Sequence, residues 1–407
     1  MIASLERSGE LLEPIEVRAF IRARLDALDL NGRSLCLVIP DATRSCPLPL
    51  LLDAVHEAVK ARVSSCTVVI ALGTHAPMSD ESIRALVGTG SLVVVNHAWW
   101  EKHTFVGVGT LSSGTVGELS GGRLDEAVEV RINRLVLESD VTIIVGPVLP
   151  HEVVGFSGGN KYLFPGLSGQ ELIDVTHWLG ALLTSREIIG ARGVTPVRAL
   201  VDAAASLVPG ERHALCVVVD HATGGLRSLA FGEPVAAWAA AADVSARTHI
   251  VYLPHPVPRV LSLVPNRYAD LWTGAKGFYK VEPVVADGGE VVLYAPHITE
   301  IAAMHPALID IGYHCRDYFL ANWERYRHYP RGDLAHSTHL FGAGTYDPVH
   351  GERERVRVTL ATGIPEAVVT RANLAYLDPA GINLEDWQAD PLALVVPDAG
   401  EVLYRLA

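Results

Sequence analysis

Side chains that do chemistry near neutral pH stand at the ends of apolar runs in this chain. Asp41, Thr43 and Arg44 follow SLCLVIP, His75 closes CTVVIALGTH, His97 follows LVVVN, and His151 comes directly after VTIIVGPVLP. Ten residues past His151 stands Lys161, behind the pair Gly158–Gly159, and His177 lies sixteen residues further on. Lys276 sits in GAKG, shortly after Trp272 and Thr273. Two imidazoles suit two-sided acid–base work, and a third could ligate a metal. Asp41 and Arg44 form either a structural ion pair or a grip in which the arginine takes a carboxylate through two bonds. Taken singly, the plainer readings lead: histidines that cap turns, a solvated helical His177, a surface Lys276.

The elements that must position these residues follow from the pattern. The apolar runs have buried-strand length, and helical spacing appears between them, as in Val17, Phe20, Ile21, Leu25 and in Leu51, Ala54, Val55, Val59. Strands alternating with helices predict an α/β fold, a doubly wound and mostly parallel sheet. Such sheets bind ligands outside the carboxyl ends of their strands, so Asp41, Arg44, His75, His97 and His151 are expected at one edge. HALCVVVD and RTHIVYLP are expected to complete the sheet, with an alanine-rich helix between them. Prolines at 254, 256, 258 and 265 mark a boundary. The expected domains are 1–260, which binds the cofactor, and a smaller α/β domain, 261–407, whose final strands could pack back on the first. YADLWTGAKGFYKVEPVV and ITEIAAMHPALIDIGYH read as helical, and the Gly/Ser-rich stretch 107–122 as turns or a hairpin.

GFSGGNK between strand and helix offers backbone amides to a phosphate, although it fits neither a Walker A loop nor GxGxxG. Ser168 and Glu171 predict a capping box for the next helix. On that helix Leu172, Val175, Thr176, Leu179 and Leu183 share a face, and His177 falls off the stripe. His97 and His103, with Trp99 and Trp100, read as core and pocket rim. His297, His305 and His314 read as structural.

Composition narrows the class. The chain has 407 residues, 49% hydrophobic and 19% charged, which suits a compact protein of more than one core. A formal net charge of −13 argues against nucleic acid or an anionic membrane as partner. The five cysteines, without CxxC spacing, read as reduced thiols. A charged N-terminus and no long apolar run lead to the expectation of a cytoplasmic protein.

D-x-T-R after the first strand, GTH after the second, PHxxxGFSGGxK, a histidine sixteen residues later and a late lysine occur here in order. In these motifs the chain resembles the lactate racemase family, nickel-pincer enzymes that racemise 2-hydroxy acids, over most of its length. The resemblance implies that Lys161 holds the nickel-pincer nucleotide, a pyridinium thioamide/thiocarboxylate mononucleotide, covalently. It implies His177 as nickel ligand, His75 and His151 as the acid–base pair, and Asp41, Thr43, Gly158 and Gly159 near the cofactor. Arg44 and Lys276 would position the substrate, beside Trp272 and Thr273. The implied reaction is racemisation or epimerisation at C2 by reversible hydride transfer, with cofactor-synthesis enzymes as transient partners. Two departures stand out: Trp272 and Thr273 replace the Tyr-Gln pair of lactate-specific members, and Asn160 occupies a place where a basic residue is common. The competing readings are a zinc hydrolase using His75, His151 and His177, and a non-catalytic carboxylate- or nucleotide-binding protein. An NAD dehydrogenase ranks lower, because no Rossmann fingerprint follows the first strand.

Overall fold

The computed structural model describes residues 2–7, 9–88 and 92–407. The chain divides into two compact units, each gathered from several segments. The first takes residues up to Leu149, Phe156–Ile173 and Arg192–Thr248; the second takes Pro150–Gly155, Asp174–Ala191 and His249–Ala407. Among the described residues no helix is long and apolar enough to cross a membrane.

The first unit is built on seven strands: β1 (Ala3–Glu6), β2 (Ser34–Ile39), β3 (Ser65–Ile70), β4 (Val93–Asn96), β5 (Val141–Pro147), β6 (Glu211–Val219) and β7 (Leu226–Gly232). Their order is β1-β7-β6-β5-β2-β3-β4, parallel from β6 to β4 and antiparallel at the β7 and β1 edge. β2 and β5 are central and covered on both faces, which is why they read as unbroken apolar runs: every residue of β5, and every residue of β2 after Ser34, is buried. The chain runs outward from β2 to β4 and returns to β5 on the other side of β2. Strand order therefore reverses between β2 and β5, and sheets of this kind bind ligands outside the carboxyl ends at such a point. Helices follow where their signals stand. Pro14 begins α1 (Pro14–Asp26), α2 spans Leu48–Val59, and the Ser79 hydroxyl caps α3 (Asp80–Val87) by accepting the Ser82 N–H. The Gly/Ser-rich stretch is a hairpin, Phe105–Leu111 against Val128–Asn133, with an unforeseen helix, Ser113–Leu119, inside its connection.

RTHIVYLP does not complete this sheet. That place goes to β7, which a tight turn returns beside β6: Asp220 accepts from Thr223 and pairs with Arg227 across the turn. Such a local hairpin costs less loop entropy than a partner brought in after a long helix.

The second unit contains β8 (Ile250–Leu253), β9 (Val257–Leu263), β10 (Val285–Ala295), β11 (Val356–Thr362), β12 (Ala375–Tyr376), β13 (Ala393–Val396) and β14 (Leu403–Leu406). Five form a parallel sheet in the order β12-β11-β10-β9-β13, and β8 pairs in parallel with β14. In ITEIAAMHPALIDIGYH only Leu308–Ile311 is helical. The carbonyls of Glu300 and Ile301 accept from the amides of Leu271 and Trp272, which removes the acceptors a helix would need. Arg331–Phe341 is a helix buried from Gly332 to Phe341 although it carries Asp333, His336, Ser337, Thr338 and His339.

Candidate active site

In the first unit, the carboxyl end of β2 delivers Asp41 into a buried position. One carboxylate oxygen accepts the amide and hydroxyl of Thr43, at 3.1 and 2.6 Å, which folds DATR into a tight turn. The other lies 2.5 Å from His75 Nδ1. A carboxylate can only accept, so Nδ1 carries the proton, and the lone pair of neutral His75 sits on Nε2. Trp99 donates its indole N–H to the His75 carbonyl at 3.0 Å, so the predicted aromatic rim steadies this turn. His97 is core, as expected. It accepts from Asn133, and burial lowers its pKa to about 4. His103 is exposed.

The glycine-rich loop is fastened from beneath. Arg198, buried and stacked on Trp238 at 4.2 Å, donates to the carbonyls of Phe156 and Gly158, while Trp238 donates to Ser157 at 3.0 Å. Gly158 has a φ of 89°, and a Cβ there would stand 2.5 Å from the Val148 side chain. At Gly159 a Cβ would stand 2.8 Å from Trp238 Cβ, and its amide is directed at the buried Cys216 thiol. The glycines thus seat the loop on the core. Lys161 follows half-buried on the short 3-10 turn Gly159–Tyr162. Tyr162 beside it is half-buried. Burial pushes its hydroxyl well above the usual range, and the nearby Arg44 charge opposes that rise. Gly146 in β5 leaves the room its ring occupies. Asn160 points inward to Asp202 at 2.9 Å, so the departure at this position is spent on the core.

In the second unit His151 is buried and wired in the opposite sense. Its Nδ1 accepts the Val153 amide at 3.1 Å, which leaves the ring proton of the neutral form on Nε2. Glu152 Oε2 stands 3.5 Å from the same nitrogen. The helix Gln170–Leu183 carries His177 half-buried, one turn after Asp174, which accepts the Gly332 amide at 2.8 Å. The expected capping box does not form. The Ser168 hydroxyl donates to the carbonyls of Pro165 and Gly169, and Glu171 pairs with Arg131.

Lys276 is buried, not a surface lysine. Its ammonium lies 5.3 Å from the Tyr268 ring centroid and 3.4 Å from the Thr273 carbonyl. The Thr273 hydroxyl donates to Asp270 at 2.8 Å as part of a helix cap. Trp272 stacks on two imidazoles, His305 at 3.8 Å and His336 at 4.3 Å. His305 Nδ1 lies 2.8 Å from Asp333, and His336 donates to the Trp272 carbonyl at 3.2 Å. Burial holds the His336 pKa well below its usual value, so that ring is neutral. The sequence reading set His305 aside and passed over Asp333 and His336. A signal was available: a short helix rich in His, Ser, Thr and Asp within an apolar chain is polar where a core helix should not be. Among the described residues no group of three or more His, Cys, Asp or Glu side chains could hold a metal ion, so a zinc site has no ready-made ligand set here.

Residues 11–190 match the family model described as the lactate racemase N-terminal domain. The lactate racemase of Thermoanaerobacterium thermosaccharolyticum is 29% identical over 161 residues, and that of Lactiplantibacillus plantarum 26% over 162. Each match spans 38% of this chain and 34% of the relative's length. Among solved structures, a Thermotoga maritima protein superposes with a TM-score of 0.92 at 28% identity, covering 99% of this chain and 100% of that one. The lactate racemase apoprotein of T. thermosaccharolyticum gives 0.70 at 19% identity, covering 96% and 93%, and so shares the fold.

Proposed function

We infer, from the premise that this chain belongs to the lactate racemase family, that it is a racemase or epimerase inverting C2 of a 2-hydroxy acid. The observation that carries the reading is the opposite wiring of His75 and His151. One imidazole presents a lone pair at Nε2 and the other presents a proton there. Inversion at carbon needs one group to take the hydroxyl proton and another to return it.

The residues suit a nickel-pincer nucleotide. Lys161 would hold it through its amine, on a loop that Arg198 and Trp238 keep from shifting. His177 would supply the one protein ligand to nickel, a role that needs no histidine cluster. When bound, the group supplies an electrophilic carbon that accepts hydride from C2. The chain itself does the rest. Asp41 orients His75, His75 and His151 exchange the hydroxyl proton, and Arg44 and Lys276 hold the carboxylate. Thr273 has already given its hydroxyl to Asp270 and Trp272 is stacked on two imidazoles, so the reading covers 2-hydroxy acids as a class and is not confined to lactate.

Intact mass tests the tether. Protein co-produced with cofactor-making enzymes gains an adduct, and Lys161→Ala abolishes it; a wild-type chain that gains neither the added mass nor nickel overturns the reading. A panel of enantiopure 2-hydroxy and sugar acids, followed for loss of optical purity, identifies the substrate.

A further inference from the structure

A cavity of 450 Å³ opens within the second unit, lined by residues to which the reaction above gives no role. Arg186, Arg316 and Arg405 bring three guanidinium groups to it, against the single carboxylate of Glu187. Two of the three are held in place by main chain: Arg316 donates to the Leu182 carbonyl and Arg405 to that of Ile189, both at 3.0 Å. Arg316 also shares charge with Asp317 at 3.0 Å. The lining includes Thr338 and His339, from the last turn of the buried helix Arg331–Phe341. Both are more than nine-tenths buried, and Thr338 Oγ1 and both His339 ring nitrogens lack a hydrogen-bond partner. Leaving such groups unsatisfied is costly, and sites that bind ligands are where that cost is recovered.

We propose that this cavity binds a small polyanion, its carboxylate or phosphate oxygens held by Arg186, Arg316 and Arg405 and its polar body by Thr338 and His339. Guanidinium groups suit both oxygen chemistries, because each offers paired donors. The volume falls in the range of small-molecule pockets.

Calorimetric titration with inorganic phosphate and, separately, with citrate tests this, using sodium chloride at matched ionic strength as control. Saturable binding of either anion is expected, and which one binds tells a phosphate site from a carboxylate site. Arg186→Gln, on an exposed side chain, weakens that binding about tenfold. Thr338→Val removes an unsatisfied hydroxyl, so it leaves the ligand-free melting temperature equal or higher while weakening the anion. The proposal fails if neither anion binds saturably at about 10 mM, or if Arg186→Gln and Thr338→Val bind as wild type does.

Discussion

His75 in the first unit and His151 and His336 in the second are one residue type put to two uses. His75 is tied to a carboxylate, which fixes its tautomer and ring orientation. His151 meets a backbone amide, His336 donates to a carbonyl, and both are buried. Burial holds the His336 ring neutral, while His151 has both the Val153 amide and, at 3.5 Å, the Glu152 carboxylate at its Nδ1. Imidazole chemistry is thus decided by what stands on the second nitrogen, more than by the presence of a histidine.

That contrast can be broken most severely at its charged end. Asp41→Asn keeps the shape but permits the wrong tautomer, and we expect turnover to fall by roughly 10²- to 10⁴-fold, in kcat more than in KM. If activity survives, the Asp41–His75 pair is an ordinary structural contact. His151→Gln is expected to cost roughly 10²- to 10⁴-fold as well, with cofactor loading by intact mass unchanged. Arg198→Met strips two carbonyls of their donor beneath the glycine loop and should lower stability by about 3 kcal/mol in urea unfolding. His336→Ala removes one stacking partner of Trp272 and should cost only about 1 kcal/mol beyond its lost area.

The smallest effect is a slope with pH. His97 and His339 are both lowered to about 4 by burial. The unfolded chain therefore binds protons that the folded chain refuses. Stability is complete above the ordinary histidine pKa of about 6.5 and declines as pH falls towards 4. Melting temperatures measured across that window should show the decline, and His97→Phe should flatten part of it.

The first unit was far more legible than the second. Parallel strands buried on both faces are apolar runs, so β2 and β5 announced themselves; β3 and the edge strand β4 are less buried but equally apolar, and the strand ends brought Asp41, His75 and His151 into view. β7 was missed because LRSLAFG contains an arginine, a serine and a glycine that break the run. The surroundings of Trp272 were unreadable for another reason. Trp272, His305, Asp333 and His336 come together through tertiary packing, without a period that links them. ITEIAAMHPALIDIGYH has helical spacing, yet two bonds from Leu271 and Trp272 decide otherwise.

The segmented make-up of the second unit has a consequence for the order in which the protein is completed. Pro150–Gly155 and Asp174–Ala191 carry His151 and His177, but their packing partners lie in His249–Ala407. The Pro150 carbonyl awaits Lys280, Asp174 awaits the Gly332 amide, and Ile189 awaits Arg405. A growing chain makes these two segments before it makes what holds them. The histidines encoded in its first half are therefore among the last to be set in place, and a nascent chain stopped after Thr248 would present them unfastened.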